Sequence, residues 1–106
     1  MLQITDTNCK EVLSSNEYVV LDFGAAWCGP CRSLAPVIEK LAKEFEGKVV
    51  IGKVDIEESP ETTDEFGIRN VPTIQFIHNG EAMPELKVVG AVPESKIRAS
   101  IEKLMA

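Results

Sequence analysis

Two thiols stand three residues apart in Trp27-Cys28-Gly29-Pro30-Cys31. The stretch before them, Tyr18-Val19-Val20-Leu21-Asp22-Phe23, is apolar except for one carboxyl and reads as a strand buried on both faces. After them Cys31, Leu34, Ile38, Leu41 and Phe45 recur at steps of three and four, one stripe of a helix. The dithiol therefore sits where a strand hands over to a helix, with Cys28 at the helix N-terminus and Cys31 about one turn inside.

That position decides the chemistry. A helix N-terminus offers N–H groups without intrahelical partners and the positive end of the macrodipole, and both favour a thiolate at Cys28. Each unit of pKa depression corresponds to about 1.4 kcal/mol of preference for the anion. Cys31 shares the stripe of Leu34 and Ile38, so it is expected to be the more buried and less acidic thiol. An exposed thiolate with a sheltered thiol nearby is arranged for thiol–disulfide exchange: Cys28 attacks a disulfide, and Cys31 then attacks the mixed disulfide. Pro30 suits the first helical turn and stiffens the ring, and Gly29 leaves the sulfur open to a large partner.

Two other uses of a Cys-x-x-Cys pair fit poorly. Zinc asks for four ligands, and the only further candidates are Cys9 and His78. A structural disulfide over so short a loop removes little entropy from the unfolded chain. No metal and no cofactor beyond the two sulfurs is expected.

Asp22 is the odd residue of its strand. A carboxyl among Val20, Leu21 and Phe23 loses hydration, which raises its pKa. Lying six residues before Cys28, it could act as proton acceptor for Cys31; otherwise it reaches solvent. Lys53, the one cation in an apolar run, either pairs with Asp22 or extends to water. Val71-Pro72 precedes a strand; this X–Pro bond can be cis, leaving the Val71 backbone free to pair with an extended substrate, or it is an ordinary trans strand start. Cys9 reads as a small core residue beside Val12 and Leu13, and His78 as an exposed loop residue without a role.

The supporting elements follow from periodicity and turn chemistry. Leu2–Thr5 reads as a short edge strand, with a helix capped by Thr7 or Asn8 after it. Ser33–Glu46 forms the body of the cysteine-bearing helix, kinked at Pro36 and stopped by Gly47. Val49–Ile56 reads as a buried parallel strand, Ser59–Phe66 as a short helix, and Thr73–Ile77 as a strand with a solvent-facing Gln75. Asn79-Gly80 is a hairpin signal whose antiparallel partner is expected at Leu86–Val89, ended by Gly90. Pro93 opens a last helix carrying Ile97, Ile101 and Leu104. The order β-α-β-α-β-α-β-β-α predicts an α/β fold with a mixed sheet and helices on both faces.

The 106 residues are expected to form one domain, with 44% hydrophobic and 26% charged residues. A net charge of −6 disfavours nucleic acid and anionic membrane. The N-terminus lacks the pattern of a signal peptide, which places the expected site of action in the reducing cytoplasm. Nothing demands more than a monomer.

Taken together, these residues resemble the thioredoxin family from about Ile4 to Leu104. The resemblance rests on Trp27-Cys28-Gly29-Pro30-Cys31, Asp22 in the preceding strand, Pro36, Gly52-Lys53-Val54-Asp55, Val71-Pro72-Thr73, Asn79-Gly80 and Val89-Gly90-Ala91. It implies a central mixed five-stranded sheet flanked by four helices, and a protein-disulfide reductase acting as an electron carrier. In that reading Cys28 is the nucleophile, Cys31 the resolving thiol and Asp22 the proton acceptor, with Lys53 beside it. Trp27, Gly29, Pro30, Val71, Pro72, Gly90 and Ala91 line the groove for disulfide-containing protein substrates. A thioredoxin reductase, commonly a flavoprotein using NADPH, recycles the oxidised form. Gly-Pro between the cysteines is similar to the reducing branch, whereas oxidases and isomerases often carry histidine there. One departure is Gly24, where the family usually has tryptophan; restoring the ring is expected to alter Cys28 titration or the coupling to reductase. The rival functions are a disulfide oxidase or isomerase, and a binding module that uses the groove without its sulfurs.

Overall fold

The computed structural model describes residues 1–106. Its elements run β1 (Leu2–Ile4), α1 (Cys9–Ser15), β2 (Tyr18–Gly24), α2 (Gly29–Glu44), β3 (Val50–Asp55), α3 (Pro60–Glu65), β4 (Thr73–His78), β5 (Glu81–Ala82), β6 (Val88–Val89) and α4 (Glu94–Met105). The sheet order is β1-β3-β2-β4, and β5 and β6 both occupy the outer edge of β4. β1 and β2 lie parallel to β3, whereas β4 runs antiparallel to β2. This is the expected α/β architecture with five strand positions.

Alternation along β2 divides the core. Val20 faces Leu34, Ile38 and Leu41 of α2 and Ile97 and Ile101 of α4. Val19, Leu21 and Phe23 face Cys9, Val12 and Leu13 of α1 and Phe66 and Ile68 beyond α3. Successive side chains of a strand point to opposite faces, so a strand apolar at nearly every position can serve both layers. Cys9 is one of these core side chains, buried beneath α1.

Local chemistry sets the ends of the elements. Asn8 occupies the N-cap position of α1 but does not cap it; its side chain accepts from Thr5 N–H at 2.7 Å and donates to the Gln3 carbonyl at 2.9 Å. The cap of α3 comes from Asp6, whose carboxylate accepts from the Thr62 N–H at 2.8 Å and the Glu61 N–H at 3.2 Å. Burial pushes the Asp6 pKa up, but these bonds with that from the Thr62 hydroxyl outweigh it and hold the group below its ordinary value. Between the outer helices, Glu94 of α4 accepts from Lys40 at 3.2 Å and from Arg98 at 2.7 Å, and Arg98 also pairs with Glu44. No helix is long and apolar enough to cross a membrane.

Two sequence expectations are corrected. The strand after Asn79-Gly80 begins at once, at Glu81–Ala82, and a single 3₁₀ turn at Pro84–Leu86 separates it from Val88–Val89. Pro84 cannot donate to a ladder, so the strand leaving the turn stops at Ala82, and the partner predicted at Leu86–Val89 is shortened to Val88–Val89 because Leu86 belongs to the 3₁₀ turn. Gln75 is buried, not solvent-facing, with 6% exposure; β6 and the chain leading out of α3 flank the face it occupies.

Candidate active site

α2 begins at Gly29, and Cys28 is its N-cap residue. The helix is capped by sulfur: the Cys31 N–H donates to Cys28 Sγ at 3.2 Å. Gly29 and Pro30 fill the first two helical positions, where a missing N–H costs no intrahelical bond. The two sulfurs are joined as a disulfide, with the Cα atoms 5.3 Å apart.

The expected contrast in burial is not found. Cys28 is 6% exposed and Cys31 7%. Each sulfur covers the other, and Ala25, Ile56 and Val71 pack around both. The difference lies in direction. Cys28 Sγ lies 3.8 Å from the Val71 carbonyl oxygen, on the groove side. Cys31 turns inward to the end of β2, where a Cβ added at Gly24 would lie 3.3 Å from both its Cβ and its Sγ. The missing side chain at position 24 is what lets helix and strand approach so closely.

Asp22 shares the α2-facing side of β2 with Val20 and Gly24. It therefore lies behind Gly24, about 7 Å along the strand from the residue that touches Cys31. It is 5% exposed, and burial pushes its pKa up to about 6 against an opposing pull from the Lys53 charge. Lys53 is its register partner on β3 and only half-buried. The two are neighbours without a salt bridge, so desolvation prevails.

The rim has three parts. Trp27 is 63% exposed beside the cysteines. Val71–Pro72 is a cis peptide, and the Pro72 carbonyl accepts from the Gly90 N–H at 2.8 Å. Gly90 makes this approach with φ +88°, in the left-handed region, and exposed Ala91 follows it. The structure thus brings Cys28, Cys31, Val71, Pro72 and Gly90 together around one opening, with Asp22 and Lys53 beneath it. His78 stays apart, stacked on Tyr18 at the far end of β2.

Sequence reasoning missed Ala25, Ile56 and Arg32. Ile56 reaches the site because its N–H donates to the Gly24 carbonyl at 3.0 Å, and Arg32 ties down the loop before Trp27 by donating to the Ala26 carbonyl at 2.8 Å. Neither contact has a signature in a single chain. The largest cavity, about 600 Å³, lies at the opposite end of α2 beside Met1 and Leu2, far from the sulfurs.

A reversible disulfide across the first turn of a helix, opening onto a free backbone carbonyl, defines a dithiol–disulfide exchange protein. The thioredoxin family model matches residues 1–103. Thioredoxin 1 of Nostoc sp. is 42% identical over 102 residues, covering 95% of this chain and 94% of the Nostoc protein. The thioredoxin of Synechocystis sp. is 40% identical, with 97% and 95% covered. The solved structure of Plasmodium falciparum thioredoxin superposes with a TM-score of 0.88 at 35% identity, over 97% of this chain and 98% of that one. The chain belongs to the thioredoxin family and is a thiol–disulfide oxidoreductase that reduces protein disulfides through Cys28 and Cys31.

Proposed function

We propose that the residues divide the exchange as follows. Reduced Cys28 is a thiolate, held by the Cys31 N–H that already meets its sulfur at 3.2 Å and by the positive end of α2. It attacks one sulfur of a substrate disulfide and expels the other as a thiolate, which takes up a proton. Asp22 accepts the proton of the Cys31 thiol through water, since it lies behind Gly24 and not in hydrogen-bond contact with the sulfur. Cys31 then attacks Cys28 Sγ, breaking the mixed disulfide and releasing the second substrate thiol. Two electrons have passed to the substrate, and the chain is left with the Cys28–Cys31 disulfide.

Trp27, Gly29, Pro30 and Ala91 shape the rim, while Val71, Pro72 and Gly90 present the backbone along which substrate lies as an added strand. Lys53 tempers the charge of Asp22. A thioredoxin reductase returns the two electrons, and the chain works as a monomeric domain in the cytoplasm, where thiols are kept reduced. The observation that carries this reading is the sulfur cap on α2, which gives the two cysteines different electrostatic positions despite equal burial.

Insulin reduction with dithiothreitol tests it. The protein should accelerate the reaction, and Cys28→Ser with Cys31→Ser should abolish it. Alkylation of the reduced protein near neutral pH should label Cys28 well before Cys31. Faster labelling at Cys31 would reverse the assignment of roles.

A further inference from the structure

One feature beside the groove lies outside the exchange chemistry. After α3, Gly67 turns the chain at φ +63°, and residues 67–70 run alongside β4. A cavity of about 340 Å³ opens between this segment and the β4–β6 pair. Gln75 and Thr73 line it from β4, Lys87 and Val89 from the β6 side, and Arg69 and Asn70 from the loop. The Thr73 hydroxyl donates to the Asn70 carbonyl at 2.6 Å and so fixes one wall.

Three observations point to a ligand of one kind. Gln75 is 94% buried in a strand of otherwise apolar neighbours (Ile74, Phe76, Ile77) and lines the cavity; its amide bonds no group of the protein and is not sealed from water, so the little area that Gln75 exposes includes its amide atoms. That amide, solvated in the free protein, can exchange water for a polar group that enters the cavity. Arg69 and Lys87 are exposed and engage in none of the ion pairs, which use Lys40, His78 and Arg98. No carboxylate lines the cavity to neutralise them, in a chain whose net charge is −6. The cavity also adjoins the groove. Asn70 precedes Val71, whose carbonyl lies 3.8 Å from Cys28 Sγ, and Val89, 50% exposed, precedes the Gly90 that bonds Pro72.

We propose that this cavity is a specificity subsite for a carboxylate side chain, Asp or Glu, that lies a few residues from the cystine of a protein partner. Arg69 and Lys87 supply the charge and Gln75 an amide donor at the cavity wall. A partner strand paired along Val71 passes its mouth, so the cavity ranks disulfides by the acidity of their flanks. The proposal rests on the exchange reading above.

The test uses reduced full-length protein and disulfide peptides that differ only in Glu or Gln at successive positions on either side of the cysteine. Second-order rate constants should favour Glu about fivefold at one or two positions, and the preference should shrink as salt is added. Arg69→Glu with Lys87→Glu should invert the ratio, and Gln75→Leu should reduce it to about twofold. A ratio of one at every position overturns the subsite, as does a ratio that survives charge reversal. A wild-type ratio in Gln75→Leu also overturns it, since charge steering without the cavity would then suffice. A wild-type protein that reduces no peptide, the neutral one included, overturns the exchange reading and the subsite together.

Discussion

Strand β2 shows two different sides to the protein. Toward α1 and α3 it presents Val19, Leu21 and Phe23, all fully buried, and the row ends on an aromatic ring that meets Phe66 with centroids 5.6 Å apart. Toward α2 and α4 it presents Val20, Asp22 and Gly24, and the hydrocarbon is given up step by step toward the cysteines. A side chain becomes a carboxyl, then a hydrogen. The first row seals a core. The second holds a titratable group and a close backbone approach where apolar packing would be more stable. Chemistry occupies the end of the α2–α4 side where this row gives up hydrocarbon, and the larger of the two apolar cores lies on that same side, around Val20 and beyond.

Truncation should separate the two rows most sharply. Phe23→Ala removes a fully buried ring and leaves a cavity, at a cost of about 3–5 kcal/mol. Urea unfolding of the oxidised protein measures it; a loss under about 1 kcal/mol would mean that the α1–α3 side is not sealed as described.

Asp22→Asn should act in the opposite direction. The folded pKa of about 6 lies above the ordinary value of 3.8, so the folded state binds the proton more tightly. Stability therefore falls as pH rises from about 4 to 6, and above that range the ionised carboxylate is a constant penalty of about 3 kcal/mol. The asparagine variant should be more stable than wild type by up to that amount at pH 8 and by almost nothing at pH 3.5. A gain independent of pH would point to packing instead. In exchange assays the same variant should accumulate mixed disulfide, because Cys31 loses its proton acceptor.

Gly24 offers a smaller perturbation. A Cβ there would sit 3.3 Å from two Cys31 atoms, tight enough that helix and strand must part by a few tenths of an ångström. Gly24→Ala should cost about 1 kcal/mol through overpacking. Gly24→Trp should shift thiol titration or reductase kinetics as well. Unchanged titration and kinetics in the tryptophan variant would show that position 24 is electrostatically silent.

These contrasts were unequally legible in the chain. Strand, helix and dithiol were readable because periodicity and the Cys-x-x-Cys spacing are local signals. Asp22 was readable as an intruder among apolar residues. Gln75 was misjudged by the same rule: a polar residue in a strand was assigned to solvent, whereas β6 and the segment after α3 flank its face. The equal burial of the two sulfurs was also hidden, since it arises from Ala25, Ile56 and Val71, which meet only in the folded protein. The close contact of Gly24 with Cys31 depends on how α2 lies across the end of β2, and no local pattern reports that.

Lys53 gives the finest test of the contrast. It shares register with Asp22, and its charge opposes the rise that burial imposes. Its side chain is half-exposed, so the interaction passes partly through solvent and is screened by salt. Lys53→Met should raise the Asp22 pKa further, by less than about one unit. Added salt should move the wild-type value toward that of the variant and leave the variant nearly unmoved. Titration of the Asp22 carboxyl carbon by NMR at low and high ionic strength measures both shifts. If the two proteins titrate identically at low salt, Lys53 does not bear on the carboxyl, and desolvation alone sets its proton affinity.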